Sequence, residues 1–211
     1  AGAQGGITVG LDGATHQPME EIAIIRSIPN MSMIVPCDYW EPYKATIAAA
    51  KHQGPLYIRF GREDVPVVTS KETPYTFGKG EVFAEGSDLT IIACGVMVYE
   101  ALRAAEQLAT EGVSARVVDL HTMKPLDRDL ILRCARETGA IVTAEEHQVN
   151  GGLGGAVAEV VVQNHPVPME LVAVHDRFGQ SGKPAELMDA FGLRAKDIVA
   201  AAERVLKRKR A

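Results

Sequence analysis

Asp12 and His16 stand four positions apart in Gly10-Leu11-Asp12-Gly13-Ala14-Thr15-His16-Gln17-Pro18, after the β-branched Ile7-Thr8-Val9 and ahead of a helical stretch. An imidazole can donate to a hydroxyl or move its proton, and a carboxylate can accept from a sugar hydroxyl or set the charge on the histidine. Open α/β sheets bind ligands outside the carboxyl ends of their strands, so a loop at this place lets both side chains turn toward one cleft. The competing assignment gives Asp12 to a turn and His16 to the cap of the next helix. Arg59 and Arg62, in Tyr57-Ile58-Arg59-Phe60-Gly61-Arg62-Glu63, close a later apolar run on the same expected edge. A guanidinium's fixed fork suits a phosphate or carboxylate. The pair therefore predicts an anionic substrate, with Arg59 ranked ahead of Arg62 as the ligand; alternatively one of them pairs with Glu63 or Asp64.

Gly151-Gly152-Leu153-Gly154-Gly155 invites a dinucleotide reading, but its spacing is not GxGxxG and the acids Glu145-Glu146 stand where a phosphate would be repelled. A tight turn or a helix start that meets another subunit fits better. His147, beside those acids, is a candidate turn or interface residue that could reach a neighbouring active site. The remaining histidines are scattered, and Cys37, Cys94 and Cys134 form no CxxC pair, so the spacing indicates neither a metal site nor a disulfide framework.

The elements that must carry these residues alternate in type. Ile7-Thr8-Val9, Met33-Ile34-Val35 and Leu56-Tyr57-Ile58 read as strands, with helices over 19–27 and 42–52 between them, the pattern of a parallel sheet with crossover helices. Residues 62–86 turn rich in proline and glycine and read as a linker or a pair of edge strands. Beyond it, near-continuous apolar runs at 89–93, 115–120, 140–144 and 169–174 alternate with helical stretches, as strands buried on both faces do. The expected fold class is α/β: two consecutive doubly wound domains, the first (1–68) incomplete and the second (87–211) smaller, joined by a linker over 69–86.

Composition bounds the partners. Of 211 residues 46% are hydrophobic and 23% charged, which excludes disorder as the ground state. The net charge of −5 disfavours a nucleic-acid partner, and no apolar run approaches the roughly eighteen residues a membrane span needs. The cysteine usage fits a reducing, cytoplasmic setting.

Asp12-Gly13-Ala14-Thr15-His16-Gln17-Pro18, Ile28-Pro29-Asn30-Met31, Val35-Pro36-Cys37-Asp38, Arg59-Phe60-Gly61-Arg62, Val118-Asp119-Leu120, Lys124-Pro125-Leu126-Asp127 and Glu145-Glu146-His147 occur in an order that resembles the transketolase family. The resemblance implies a pyrimidine-binding domain followed by a carboxyl-terminal domain. It implies thiamine diphosphate and Mg2+ as cofactors, both bound mainly outside this chain. The implied reaction moves a two-carbon ketol unit from a ketose phosphate to an aldose phosphate, as in the pentose phosphate pathway. On this resemblance Asp12 and His16 face the donor sugar, His16 acts catalytically, and Arg59 grips the acceptor phosphate with Arg62 beside it. The resemblance also makes Gln4 a candidate substrate-binding residue, about where family members carry a histidine, and Leu11 stands where they carry a glutamate. The family's pyrimidine-binding domain opens with a segment that activates the coenzyme, so a partner chain or further residues are expected to supply it. A homodimer, or a heterotetramer with an amino-terminal subunit, follows. The alternatives are a deoxyxylulose-phosphate synthase, a 2-oxoacid dehydrogenase β chain or a non-catalytic paralogue.

Overall fold

The computed structural model describes residues 1–210. Two sheets organise them. In the smaller, β1 (Ser32–Ile34) and β2 (Leu56–Ile58) run parallel while β6 (Thr122–Lys124) joins antiparallel, in the order β2-β1-β6. In the larger, β4 (Leu89–Ala93), β5 (Ala115–Asp119), β7 (Ile141–Gln148) and β8 (Met169–Val174) are parallel, and β3 (Glu81–Ala84) is an antiparallel edge. Its order is β3-β5-β4-β7-β8. The helices are α1 (Glu21–Ser27), α2 (Trp40–Lys51), α3 (Met97–Thr110), α4 (Arg128–Thr138), α5 (Leu153–Asn164), α6 (Pro184–Ala190) and α7 (Ala195–Arg210). This is the α/β architecture expected, with helices on both faces of the larger sheet.

The continuous apolar runs explain that layering. Side chains of β4 alternate, so Leu89 and Ile91 enter one core with Met97, Ala101, Ala104 and Leu108 of α3 and Ile198, Ala202 and Val205 of α7. Ile92 points the other way, into a core with Ile131 and Cys134 of α4 and Leu153, Val157 and Val160 of α5. Each such fully buried aliphatic side chain stabilises the fold by about 1.5–3 kcal/mol. Helix ends follow local rules: Asp127 accepts from the Leu130 N–H at the start of α4, and Gly139 stops that helix at φ 62°.

Three expectations change. Ile7-Thr8-Val9 forms no strand; Ile7–Asp12 is a pair of 3₁₀ turns kinked at Gly10, with φ 83°. Glycines at positive φ stand at positions 6, 10 and 13, so the chain bends every few residues and cannot extend. The stretch 69–86 is only in part a linker, because β3 lies within it and closes the edge of the larger sheet. Within this chain the second unit is also the larger, not the smaller, and it lends β6 to the first sheet. Among the described residues no helix is long and apolar enough to cross a membrane.

Candidate active site

The residues from Gly6 to Pro18 form a closed loop, since the Gly6 N–H donates to the Pro18 carbonyl at 2.9 Å. Inside it, Ile7, Thr8, Val9 and Gly10 are buried, whereas Leu11, Asp12, Ala14, Thr15 and His16 face solvent. The loop therefore offers its chemistry outward from a buried base. Asp12 forms an ion pair with Arg62, each side chain about two-fifths exposed. The guanidinium reaches the loop because Gly5 and Phe60 are hydrogen-bonded at 2.8 Å, which lays the segment following β2 beside the amino-terminal strip. Arg62 has five N–H donors, so an arriving anion can share it with Asp12. Gln4 is exposed on that strip, in a left-handed conformation at φ 67°.

His16 is exposed, and its Nδ1 lies 2.9 Å from the Thr15 hydroxyl. If that hydroxyl donates, Nε2 carries the proton and can give it to a ligand; if Nδ1–H donates, Nε2 is a free base. Either form turns a working nitrogen away from Thr15. The helix-capping alternative for His16 does not hold, because α1 begins at Glu21 and its first free N–H groups, of Ile22 and Ala23, donate to His147.

Arg59 is not at this rim, contrary to its expected role as the phosphate ligand. It is 3% exposed, with Nε 2.5 Å from a Glu21 carboxylate oxygen, Nη1 3.5 Å from Glu146 Oε1 and Nη2 donating to the Glu146 backbone carbonyl at 3.1 Å. Burial disfavours the charged guanidinium, but the buried Glu146 and the largely buried Glu21 draw it inward, and their charges outweigh that cost and raise its pKa. The pairing with Glu63 or Asp64 does not occur either. Glu146 in turn accepts from the Thr8 N–H at 3.1 Å and the Thr8 hydroxyl at 2.8 Å, tying the loop's base to β7. A Cβ on Gly6 would overlap that carboxylate, which is why only glycine fits there.

His147 is likewise internal, with no exposed surface, so it is not an interface residue in this chain. Its Nδ1–H donates to the Gln148 carbonyl at 2.7 Å, and its Nε2 accepts from the Ile22 N–H at 3.2 Å and the Ala23 N–H at 3.4 Å. The imidazole caps the start of α1, and burial lowers its pKa, which keeps it neutral for that task.

Glu145 disposes of the dinucleotide alternative. Its carboxylate accepts from the Leu153 N–H at 2.7 Å and the Gly154 N–H at 2.9 Å, filling the α5 start where a phosphate would sit. Burial pushes this carboxyl up to about 7, against the pull of those N–H groups. An acid raised above its unfolded value, about 4.3, stabilises fully below that value and loses its contribution as pH rises through about 7. Glu145→Gln should be destabilising throughout, with a deficit that shrinks by on the order of 2 kcal/mol between pH 5 and 8. Chemical unfolding of both proteins across that range checks this, and parallel curves would contradict it.

One group with metal-binding donors did arise that spacing could not reveal. Cys37, Glu41 and Asp119 are buried at the junction of the two units, with ligand atoms within 4.8 Å of one another. Burial raises both carboxyls and the thiol, neighbouring negative charge adds to the rise of Cys37 and Asp119, and hydrogen bonds with Asp119 and Cys37 oppose the rise of Glu41, so protons compete for these atoms. Its buried place at the junction separates it from the exposed rim of Asp12, His16 and Arg62.

Comparisons with known proteins give the family. Residues 2–68 match the family described as "Transketolase, pyrimidine binding domain", and residues 78–198 match "Transketolase, C-terminal domain". The 6-deoxy-6-sulfo-D-fructose transketolase subunit SqwH of Clostridium sp. (strain MSTE9) is 46% identical over 208 residues, covering 99% of this chain and 65% of that protein. An apulose-4-phosphate transketolase subunit of Phocaeicola vulgatus is 36% identical over 208 residues, covering 98% of this chain and 66% of that protein. A solved structure described as "Split gene transketolase, inactive beta4 tetramer" superposes with a TM-score of 0.92 at 46% identity, covering 98% of this chain and 66% of that one. The chain thus spans about two thirds of the length of these relatives.

Proposed function

The chain belongs to the transketolase family, and from that premise we propose that it is the carboxyl-terminal subunit or part of a transketolase, contributing to transfer of a two-carbon ketol unit between ketose and aldose phosphates. The observation that carries this reading is the exposed rim where Asp12, Arg62 and His16 stand on one loop and its neighbour. In this role the Asp12 carboxylate accepts from a donor hydroxyl, His16 moves a proton to or from a substrate oxygen, and Arg62 takes the phosphate. Arg62 replaces Arg59 as the phosphate ligand.

Thiamine diphosphate, on which the family depends, supplies the carbanion-stabilising chemistry when bound. The described residues fit its substrate side only: the glycine-rich α5 start is filled by Glu145, and the metal-donor cluster is buried away from the rim. On this reading the diphosphate and Mg2+ would be held by an amino-terminal partner or by further residues of the same polypeptide. Such a partner would also cover apolar surface, since Leu11 is 69% exposed, and Ile24 and Phe178 line a cleft of about 310 Å³ with Glu20 and Arg177. A homodimer or a heterotetramer with that partner satisfies these surfaces.

The test is transfer from xylulose 5-phosphate to ribose 5-phosphate with thiamine diphosphate and magnesium, with and without a candidate amino-terminal chain. Turnover in the mixture is expected; none in any pairing would instead favour a non-catalytic paralogue. Arg62→Ala should raise the KM for the phosphorylated acceptor by about ten- to a hundredfold, the worth of a charge-assisted hydrogen bond. Its effect on stability should stay within about 1 kcal/mol, because the ion pair it breaks is solvated.

A further inference from the structure

The loop that bears Asp12 and His16 is held by groups outside the chemistry. The two N–H groups of the Gln17 amide, 3% exposed and next in sequence to His16, donate to the carbonyls of Gly10 at 3.0 Å and Gln180 at 2.9 Å, and the Ile7 carbonyl shares them at 3.3 Å. Two of these acceptors belong to the loop and the third to the irregular segment between β8 and α6, so one side chain braces the loop internally and fastens it to the second unit. The approach is close: a Cβ on Gly179 would overlap Gln17 Oε1. At the other end, the Ser181 hydroxyl donates to the Leu11 carbonyl at 2.6 Å. That carbonyl belongs to the peptide joining Leu11 to Asp12, so its rotation would swing the carboxylate. Pro184 packs against Gly10, where a Cβ would meet its ring at 3.2 Å.

We propose that Gln17 and Ser181 are positioning residues: they lock the loop to the carboxyl-terminal unit and so fix the backbone from which His16 and Asp12 reach substrate. The inference rests on the transketolase reading for what is being positioned. It gives the carboxyl-terminal unit a part in the active site even though none of its side chains needs to touch the sugar. Gln17 acts through His16, and Ser181 acts through Asp12.

Two readouts separate positioning from mere stability. The first is amide hydrogen exchange over residues 7–17 of the chain alone, which needs no turnover. Ser181→Ala and Gln17→Met should each speed exchange there by about fivefold or more, the effect of losing roughly 1 kcal/mol of local hydrogen bonding. Ser181 is exposed, so its variant keeps the test valid even if Gln17→Met folds poorly. The second is a double-mutant cycle with the partner present. Gln17→Met should lower kcat/KM by about tenfold in the parent but less than twofold in the His16→Ala background, since no imidazole is left to orient. Ser181→Ala should behave the same way against Asp12→Ala, and Ser181→Thr, which keeps the hydroxyl, should restore activity. Unchanged exchange, or losses of equal size in both backgrounds, would overturn the inference. Absence of turnover in every pairing would remove the catalytic reading instead, and the exchange result would still report the tether.

Discussion

Arg59→Met should destabilise the fold by about 3–5 kcal/mol, because removing one partner of a buried ion pair leaves the other charge uncompensated. Here two acids are left. Glu146 is 2% exposed and Glu21 13% exposed, and both face the guanidinium. The methionine stem fills much of the volume, so the loss is electrostatic, not a cavity. Measured against a total stability of about 5–15 kcal/mol, it would bring the protein close to unfolding at moderate temperature. The damage should spread to the site loop, since Glu146 also holds Thr8. Denaturant midpoints for Arg59→Met, Glu146→Gln and the double variant check this. The double variant should recover part of the loss, because neutralising Glu146 removes one of the stranded charges. A change under about 1 kcal/mol for Arg59→Met would show that the acids are compensated in another way.

His16→Ala carries the largest expected effect on activity. The side chain is exposed and packs in no core, so unfolding curves should coincide with the parent. Ketol transfer should fall by about a hundred- to ten-thousandfold, the usual worth of a positioned proton-transfer group. The drop should appear mainly in kcat, because the imidazole's contribution grows as charge develops on the substrate oxygen. Parent-level turnover would remove His16 from the mechanism and leave Asp12 and Arg62 as a binding site only.

Much of the architecture was legible because burial writes itself into composition. Strands covered on both faces read as unbroken apolar runs, and Leu89–Ala93 is such a strand, central in its sheet. Ile7-Thr8-Val9 misled for the same reason: β-branched residues suggest extension, but closely spaced glycines at positive φ and the hold of Glu146 on Thr8 dictate turns. The addition of β6 to the first sheet left no local trace, since a three-residue edge pairing depends on where the second unit packs. Within the site, Asp12, His16 and Arg62 were visible as polar residues at the ends of apolar runs. Arg59 ranked ahead of Arg62 because the partner that pulls it inward, Glu146, lies 87 positions away and leaves no local sign. His147 and Gln17 were opaque for a related reason: what a buried polar side chain caps or braces is decided by tertiary contact. A one-sided clue existed for Glu145-Glu146, two acids directly after the largely apolar Ile141-Val142-Thr143-Ala144, which had to be either paired or bonded to backbone N–H groups once buried.

The claim on which the account turns is that Arg62, with Asp12 and His16, forms the sugar-phosphate side of a ketol-transferring site, while Arg59 is structural. The most direct measurement is the ratio of kcat/KM for phosphorylated over unphosphorylated aldose acceptors in the two-chain enzyme. It should be made for the parent, for Arg62→Ala, and for Arg59→Met at a temperature where that variant is folded. The account predicts that the ratio collapses toward one in Arg62→Ala and is kept in Arg59→Met. Preservation of the ratio in Arg62→Ala together with its loss in folded Arg59→Met would contradict it.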